Sequence, residues 1–247
     1  LLLLMNNSYK IEDKPSTHTS ISGGKWHIED EWLNNFYNLV GEAMFKDNVE
    51  LNFVENHKQI SPLLIDIDIK YESNIENRQF DFKFIKKFLN YYIELIKASI
   101  TNLNDLLEDS EDLNFLDFHI LLKDRVIRDK DTLKDGIHIV MPNFVTEPDI
   151  QLWMRDKLIF SKEYKNELTN MFLDIKNTNT LANTIDEKVI FDTAWQLYGC
   201  CKPKNIPYKL KHIYGIKKVD KIEDDDIIFD SDKKLVFREK EIPKNTF

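Results

Sequence analysis

The chain is 247 residues long, 42% hydrophobic and 12% aromatic, with a formal net charge of −9. That is enough to bury one good core, or two small lobes sharing a cleft, and it excludes long disorder away from the ends. The acidic balance excludes a surface that is basic all over, as in proteins that coat nucleic acid, but leaves room for one local basic groove.

Residues 1–4 are apolar but too few for a signal peptide or a membrane span, and no membrane association is expected. Residues 1–24 are polar and turn-rich and read as an N-terminal arm. Trp32, Phe36, Leu39, Val40 and Ala43 recur at helical spacing behind Glu29, Asp30 and Glu31, which suit a helix N-terminus. Strands are predicted at 51–55 and 63–69, then a long amphipathic helix carrying Phe80, Phe84, Phe88, Tyr92, Leu95 and Ile96. Residues 115–122 and 137–141 read as strands flanking a charged turn at 123–135, with Pro142 closing the second. Residues 147–177 read as mostly helical, 188–192 as a short β-branched run and 198–203 as a loop. Residues 208–219 read as a late strand. Its Lys209, Lys211, Lys217 and Lys218 fit a phosphate-tracking strand, or equally an edge strand protected by lysines.

The acidic stretches 108–117 and 220–232 read as solvated segments. Strands and helices mix without a βαβ repeat, which favours an α+β fold with an antiparallel or mixed sheet. The predicted organisation is an arm at 1–24, one catalytic domain at 25–220 and a charged C-terminal segment at 221–247, a possible linker to a further domain. Cys200 and Cys201 are the only cysteines and are adjacent. They offer no disulfide framework and no cysteine zinc site, so the chain reads as intracellular.

Chemistry first shows in residues 63–69, where Asp66 and Asp68 sit two apart inside an apolar run. On a strand they face one way while Ile65, Ile67 and Ile69 face the other. Two carboxylates side by side on a half-buried strand are costly unless a cation neutralises them, and hard divalent ions prefer such oxygen ligands. An Asp-x-Asp pair alone also fits a solvent-facing strand edge or a glycosyltransferase. Further along, His138 sits on the 137–141 strand with Ile137 and Ile139 on the opposite face, next to the flexible Gly136 and to Lys134, Asp192 ends the apolar run Val189–Ile190–Phe191, and Gly199, Cys200 and Lys202 fall in a loop able to present N–H groups and a positive charge to phosphate. Taken singly, each has an ordinary structural reading as a half-buried histidine, a turn or a cap.

Their order resembles the archaeo-eukaryotic primase superfamily, and more closely the primase-polymerase module at the front of poxvirus-type primase-helicases of large DNA viruses. The resemblance spans residues 23–219. It implies a two-lobed α+β fold with an RRM-like catalytic sheet and a cleft between the lobes. It implies that Asp66, Asp68 and Asp192 bind two Mg²⁺ or Mn²⁺ ions. His138, Lys134 and Lys202, with Gly136, Gly199 and Cys200 in the same motifs, would hold the incoming nucleotide. The implied activity is primer synthesis from NTPs or dNTPs on a single-stranded DNA template, as RNA or as DNA. The implied partner is a superfamily-3 helicase domain or other replisome proteins, at an intracellular viral replication site in the host cytoplasm. No phosphate-loop motif of a helicase occurs in the chain. Gly136 stands where serine is common, and Cys200 where the loop usually has serine. These departures leave open a catalytically weak module that only binds nucleotide or template, or recruits a helicase.

Overall fold

The computed structural model describes residues 15–101, 114–129 and 131–243. Residues 1–4, the first part of the expected arm, most of the 108–117 acidic stretch, Lys130 and the last four residues lie outside that set.

The first described strands, β1 (His18–Ser20) and β2 (Lys25–Trp26), form a hairpin. Helix α1 (Asp30–Phe45) follows, its first turn carrying Asp30 and Glu31 and its buried side bearing Phe36 and Val40. Strand β3 (Phe53–Glu55) leads to β4 (Ser61–Glu72), and then to α2 (Phe82–Ser99), capped by Asp81 accepting from the Phe84 N–H at 3.0 Å. Next come β5 (Phe118–Lys123), β6 (Ile127–Asp129) and β7 (Thr132–Thr146). Helices α3 (Pro148–Phe160) and α4 (Lys165–Asp174) are followed by two single-turn helices, α5 (Leu181–Thr184) and α6 (Lys188–Phe191). The chain then adds β8 (Trp195–Gln196), β9 (Tyr208–Lys218), β10 (Ile227–Asp230) and β11 (Leu235–Lys240).

Among the described residues these strands build two antiparallel sheets. The small one runs β2-β1-β3-β8 and shares a core with α1, made of Ile28, Phe36, Val40, Phe53 and Cys200. The large one runs β10-β11-β9-β5-β7-β4, with β6 hairpinned onto β7. Its buried face includes Ile65, Ile67 and Ile69 of β4 and Ile137 and Ile139 of β7, packed with α2 residues such as Phe88 and Leu89. The fold is mixed α and β, as the sequence led us to expect.

Several expectations need correction. The arm does not stay outside the fold: His18 is buried in the small sheet against Phe36, with ring centroids 4.8 Å apart. Burial, followed by the nearby Lys58 charge, lowers the His18 pKa to about 4. Pro142 does not end its strand, because the β4–β7 register jumps from Leu63↔Met141 to Pro62↔Val145. The proline therefore falls in a bulge where no ladder bond is asked of it. Most of the charged turn is strand, including Lys134 and Asp135. The run at 188–192 is a helical turn. Strand β9 is inner in the sheet order but is paired on both sides only at Ile213 and Tyr214: Lys209 and Lys211 lie where it pairs β5 alone, and there both reach Asp124, while Lys217 and Lys218 lie where it pairs β11 alone. The charged C-terminal segment supplies β10 and β11, whose Phe229, Leu235 and Phe237 join the main core. Phe229, Leu235, Val236 and Phe237 point inward there, while Ile228 is exposed and Asp226 pairs with Arg238.

Candidate active site

Strands β4 and β7 pair with Asp66 opposite His138 and Asp68 opposite Gly136. Because side chains alternate, these residues share the face turned away from the Ile65–Ile67–Ile69 core. In turn β5 places Leu121 opposite His138, and β9 places Tyr208 opposite Lys123. Asp66, Asp68, Lys123, His138 and Tyr208 floor a cavity of about 490 Å³, walled by Asp186 and Lys188, by Trp195 and Gln196 of β8, and by Lys202. Val54 and Ile21 from the small-sheet side complete it.

The third carboxylate arrives along the outer edge of β4. That edge would present unpaired backbone groups, and the chain from residue 177 to 186 satisfies them. Asn177 accepts from the Lys70 N–H at 3.1 Å, the Thr178 N–H donates to the Lys70 carbonyl at 2.8 Å, and the Asn179 amide donates to the Asp68 carbonyl at 3.0 Å. Ile185 bridges Ile67, and the Asp186 N–H donates to the Asp66 carbonyl at 3.0 Å. Arg155, only 4% exposed, clamps this segment by donating to the carbonyls of Ile185 at 2.8 Å and Ala182 at 3.1 Å. Its guanidinium also meets Asp156 and Glu187.

One oxygen from each of Asp66, Asp68 and Asp186 lies within 4.8 Å of the others. Burial, then the charges of Asp68 and Asp186, push the Asp66 pKa well above the usual carboxylate range, with Lys123 and Lys202 pulling the other way. Asp68 is raised too, by burial and then by Asp186. Asp66 Oδ1 is buried and has no hydrogen-bond partner. Its nearest cation-forming neighbour is His138 Nε2, at 3.5 Å. Burial, then Lys123 and Lys202, hold the His138 pKa well below 6.5, so the imidazole is neutral and the pair is a contact rather than a salt bridge. A buried, unpartnered carboxylate oxygen facing two further carboxylates fits a hard divalent cation, and Asp66, Asp68 and Asp186 would hold it.

His138 lies flat on Tyr208, with centroids 3.5 Å apart and planes 18° apart, and Trp195 closes on it at 4.6 Å. Gly136 makes this packing possible. A Cβ there would collide with the Tyr208 hydroxyl and reach 3.1 Å from the Ile67 carbonyl.

The structure sorts the residues singled out from sequence. Asp66, Asp68, His138 and Lys202 line the cavity. Asp192 does not: it follows α6, is exposed and bonds the Lys188 carbonyl through its N–H at 2.8 Å, while Asp186 occupies the place expected for it. Lys134 is exposed beyond Gly136 on the same strand face, with its ammonium on Asp129. Gly199 and Cys200 also lie off the cavity. Gly199, at a φ of 78°, turns the chain against Met44 and Phe45. Cys200 is 1% exposed beside Met44 in the small core, where burial pushes its thiol up to about 11. Sequence reasoning missed Asp186, Lys123 and the Tyr208–Trp195 cradle. An apolar-Asp pattern is present at Ile185–Asp186 as well as at Phe191–Asp192, and only the edge pairing of β4 chooses between them.

Comparison with known proteins agrees with this geometry. Residues 17–214 match the family model described as the C962R protein N-terminal AEP domain, AEP standing for archaeo-eukaryotic primase. The chain is similar to a protein of Acanthamoeba polyphaga mimivirus named helicase L207/L206, 30% identical over 207 residues, covering 81% of this chain and 20% of that protein. It is also similar to a protein of Invertebrate iridescent virus 6 named helicase 184R, 28% identical over 209 residues, covering 80% of this chain and 21% of that one. The chain thus spans about a fifth of the length of these curated relatives. Since the family match takes in every residue that lines the cavity, the chain belongs to the archaeo-eukaryotic primase domain family of the C962R N-terminal type.

Proposed function

We propose that this cavity carries out template-directed nucleotidyl transfer, making RNA or DNA primers from NTPs or dNTPs on single-stranded DNA during viral DNA replication inside the host cell. The observation that carries the reading is the buried, unpartnered Asp66 Oδ1 facing Asp68 and Asp186. Bound Mg²⁺ or Mn²⁺ ions supply the charge that favours an ionised attacking hydroxyl and offsets the developing negative charge on the departing pyrophosphate. Asp66, Asp68 and Asp186 hold that charge at a fixed place on a rigid strand and its edge. His138, neutral and fixed between Tyr208 and Trp195, has one ring nitrogen able to donate to a phosphate oxygen without bringing a charge into the buried site. Lys202 adds a positive charge from the loop above the carboxylates.

Two sheets with separate cores on either side of the cavity support a two-lobed arrangement, with the large sheet as the catalytic one. Gly136 and Cys200 do not weaken the reading, because the first gives Tyr208 its clearance and the second is a core residue. The viral relatives are named helicases and are about four times as long, which supports work alongside a helicase, in the same polypeptide or beside it. Among the described residues no helix is long and apolar enough to cross a membrane.

The test is direct. With a single-stranded DNA template, labelled nucleotides and Mg²⁺ or Mn²⁺, the protein is expected to yield labelled oligomers, and the Asp66→Ala/Asp68→Ala variant none. Undiminished product from that variant would overturn the reading.

A further inference from the structure

Three lysines line the cavity, Lys123, Lys188 and Lys202, and Lys123 is the one built into its floor. It ends β5, its carbonyl accepts from the Arg78 guanidinium at 2.9 Å, and that guanidinium grips Asp135 of β7 through two further bonds of 2.7 and 2.8 Å. The backbone that carries Lys123 is therefore tied to the strand that carries Gly136 and His138. The ammonium sits 4.5 Å from the centre of the Tyr208 ring, the same ring that stacks on His138.

A lysine serving only as counter-charge to the acidic cluster would close onto one of its carboxylates. Lys123 does not. Among the described residues its ammonium makes no hydrogen bond and no ion pair, although Asp66, Asp68 and Asp135 are all near enough to favour its charge. Lys134, by contrast, has its ammonium on Asp129. Holding a half-buried ammonium without an anionic partner is unfavourable unless an anion completes the site. The only carboxylates within the cavity belong to the cluster that suits a cation, so the missing anion has to come from outside.

We propose that Lys123 is a nucleotide-binding residue, its ammonium taking a phosphate oxygen of the incoming nucleoside triphosphate beside the Asp66–Asp68–Asp186 cluster. The inference rests on the nucleotidyl-transfer reading and adds a residue to that site. A nucleotide suits the position better than a template backbone. Lys123 lines a hollow of about 490 Å³, within the usual size of a small-ligand pocket, beside the three carboxylates. Its backbone is held by Arg78 and its ammonium rests over the Tyr208 ring, which limits the side-chain entropy lost when the phosphate arrives.

The experiment measures the binding of three probes to wild type, Lys123→Met and Lys123→Arg: Mn²⁺ alone, ATP with Mn²⁺, and an oligodeoxythymidylate. Lys123→Met is expected to weaken ATP binding about tenfold to a hundredfold, the worth of a hydrogen bond from a charged group. Mn²⁺ binding should be unchanged or tighter, because a positive charge near the carboxylates is gone, and the oligonucleotide should bind as before. Lys123→Arg keeps the charge and should stay within about threefold of wild type for ATP. ATP affinity within twofold of wild type in Lys123→Met would overturn the proposal, as would a loss confined to the oligonucleotide. Parallel loss of Mn²⁺ and ATP binding in both variants would also overturn it, since that is what a purely structural lysine gives. A wild type that binds no ATP would do the same. If the wild type makes no primer but Lys123→Met still loses ATP, the nucleotidyl-transfer reading fails alone. If primers are made and Lys123→Met binds ATP normally, only the Lys123 proposal fails.

Discussion

Replacing Asp186 with asparagine should change stability and metal binding in opposite directions. The side-chain oxygen that accepts from the Lys188 N–H at 3.0 Å survives in the amide, so the local turn is kept. What is lost is one negative charge within 4.8 Å of two others. At that separation and an effective dielectric of 20, two full charges repel by about 3.5 kcal/mol. The acids avoid part of this by holding protons, as the raised pKa of Asp66 reflects. A net gain of about 1–2 kcal/mol in the metal-free protein is therefore expected, or a rise of about 2–8 °C in melting temperature. Mn²⁺ affinity should fall at least about a hundredfold, the upper end of what even outer-shell partners are worth. Asp192→Asn, at an exposed helix end, should move stability by no more than about 0.5 kcal/mol and leave Mn²⁺ binding alone. The assay is thermal unfolding of both variants with and without Mn²⁺, alongside a Mn²⁺ titration. Wild-type affinity in Asp186→Asn, or its loss in Asp192→Asn, would refute the assignment of the third carboxylate.

Three further outcomes follow from the same contacts. Gly136→Ala should cost about 1–3 kcal/mol by driving Tyr208 off His138, and Tyr208→Phe in the same chain should recover much of it, as a double-mutant cycle would read. The metal-free melting temperature of Asp66→Asn should exceed that of wild type by a gap that widens with pH. Asp66 has its folded pKa raised, so the folded protein keeps a proton that the unfolded chain releases above about pH 3.9, and each step toward the folded pKa costs the wild type stability. A gap that closes with rising pH would contradict the raised pKa. Arg155→Met should lose about 2–4 kcal/mol and also weaken Mn²⁺ binding, because the clamp on Ala182 and Ile185 positions Asp186. Unchanged Mn²⁺ affinity in a folded Arg155→Met protein would show that the clamp does not reach the site.

Much of the site was legible in the chain because it is written in period two. Asp66 and Asp68 alternate with isoleucines, as Gly136 and His138 do, and two such strands need only pair in register to bring the four together. What could not be read depends on contacts distant in sequence. Asp186 is chosen over Asp192 by the bridge from Ile185 to Ile67, more than a hundred residues away, which no local pattern encodes. Lys123 looked like the start of a charged turn, because its meaning lies in the Arg78 bond to its carbonyl and in the Tyr208 ring. The motif loop misled in a different way. Lys202 reaches the cavity, while Gly199 and Cys200, three and two residues earlier, serve the packing of α1. At the C-terminus the acidic composition masked Phe229, Leu235 and Phe237, a reminder that net charge describes a segment's surface and not its inward face.

The measurement closest to the centre of this account is anomalous diffraction from crystals grown with Mn²⁺ and a non-hydrolysable nucleoside triphosphate. The expected result is manganese signal bounded by Asp66, Asp68 and Asp186, with the triphosphate beside it in the cavity floored by His138 and Tyr208. Manganese bound elsewhere, or an empty cavity under conditions in which the protein makes primers, would contradict it.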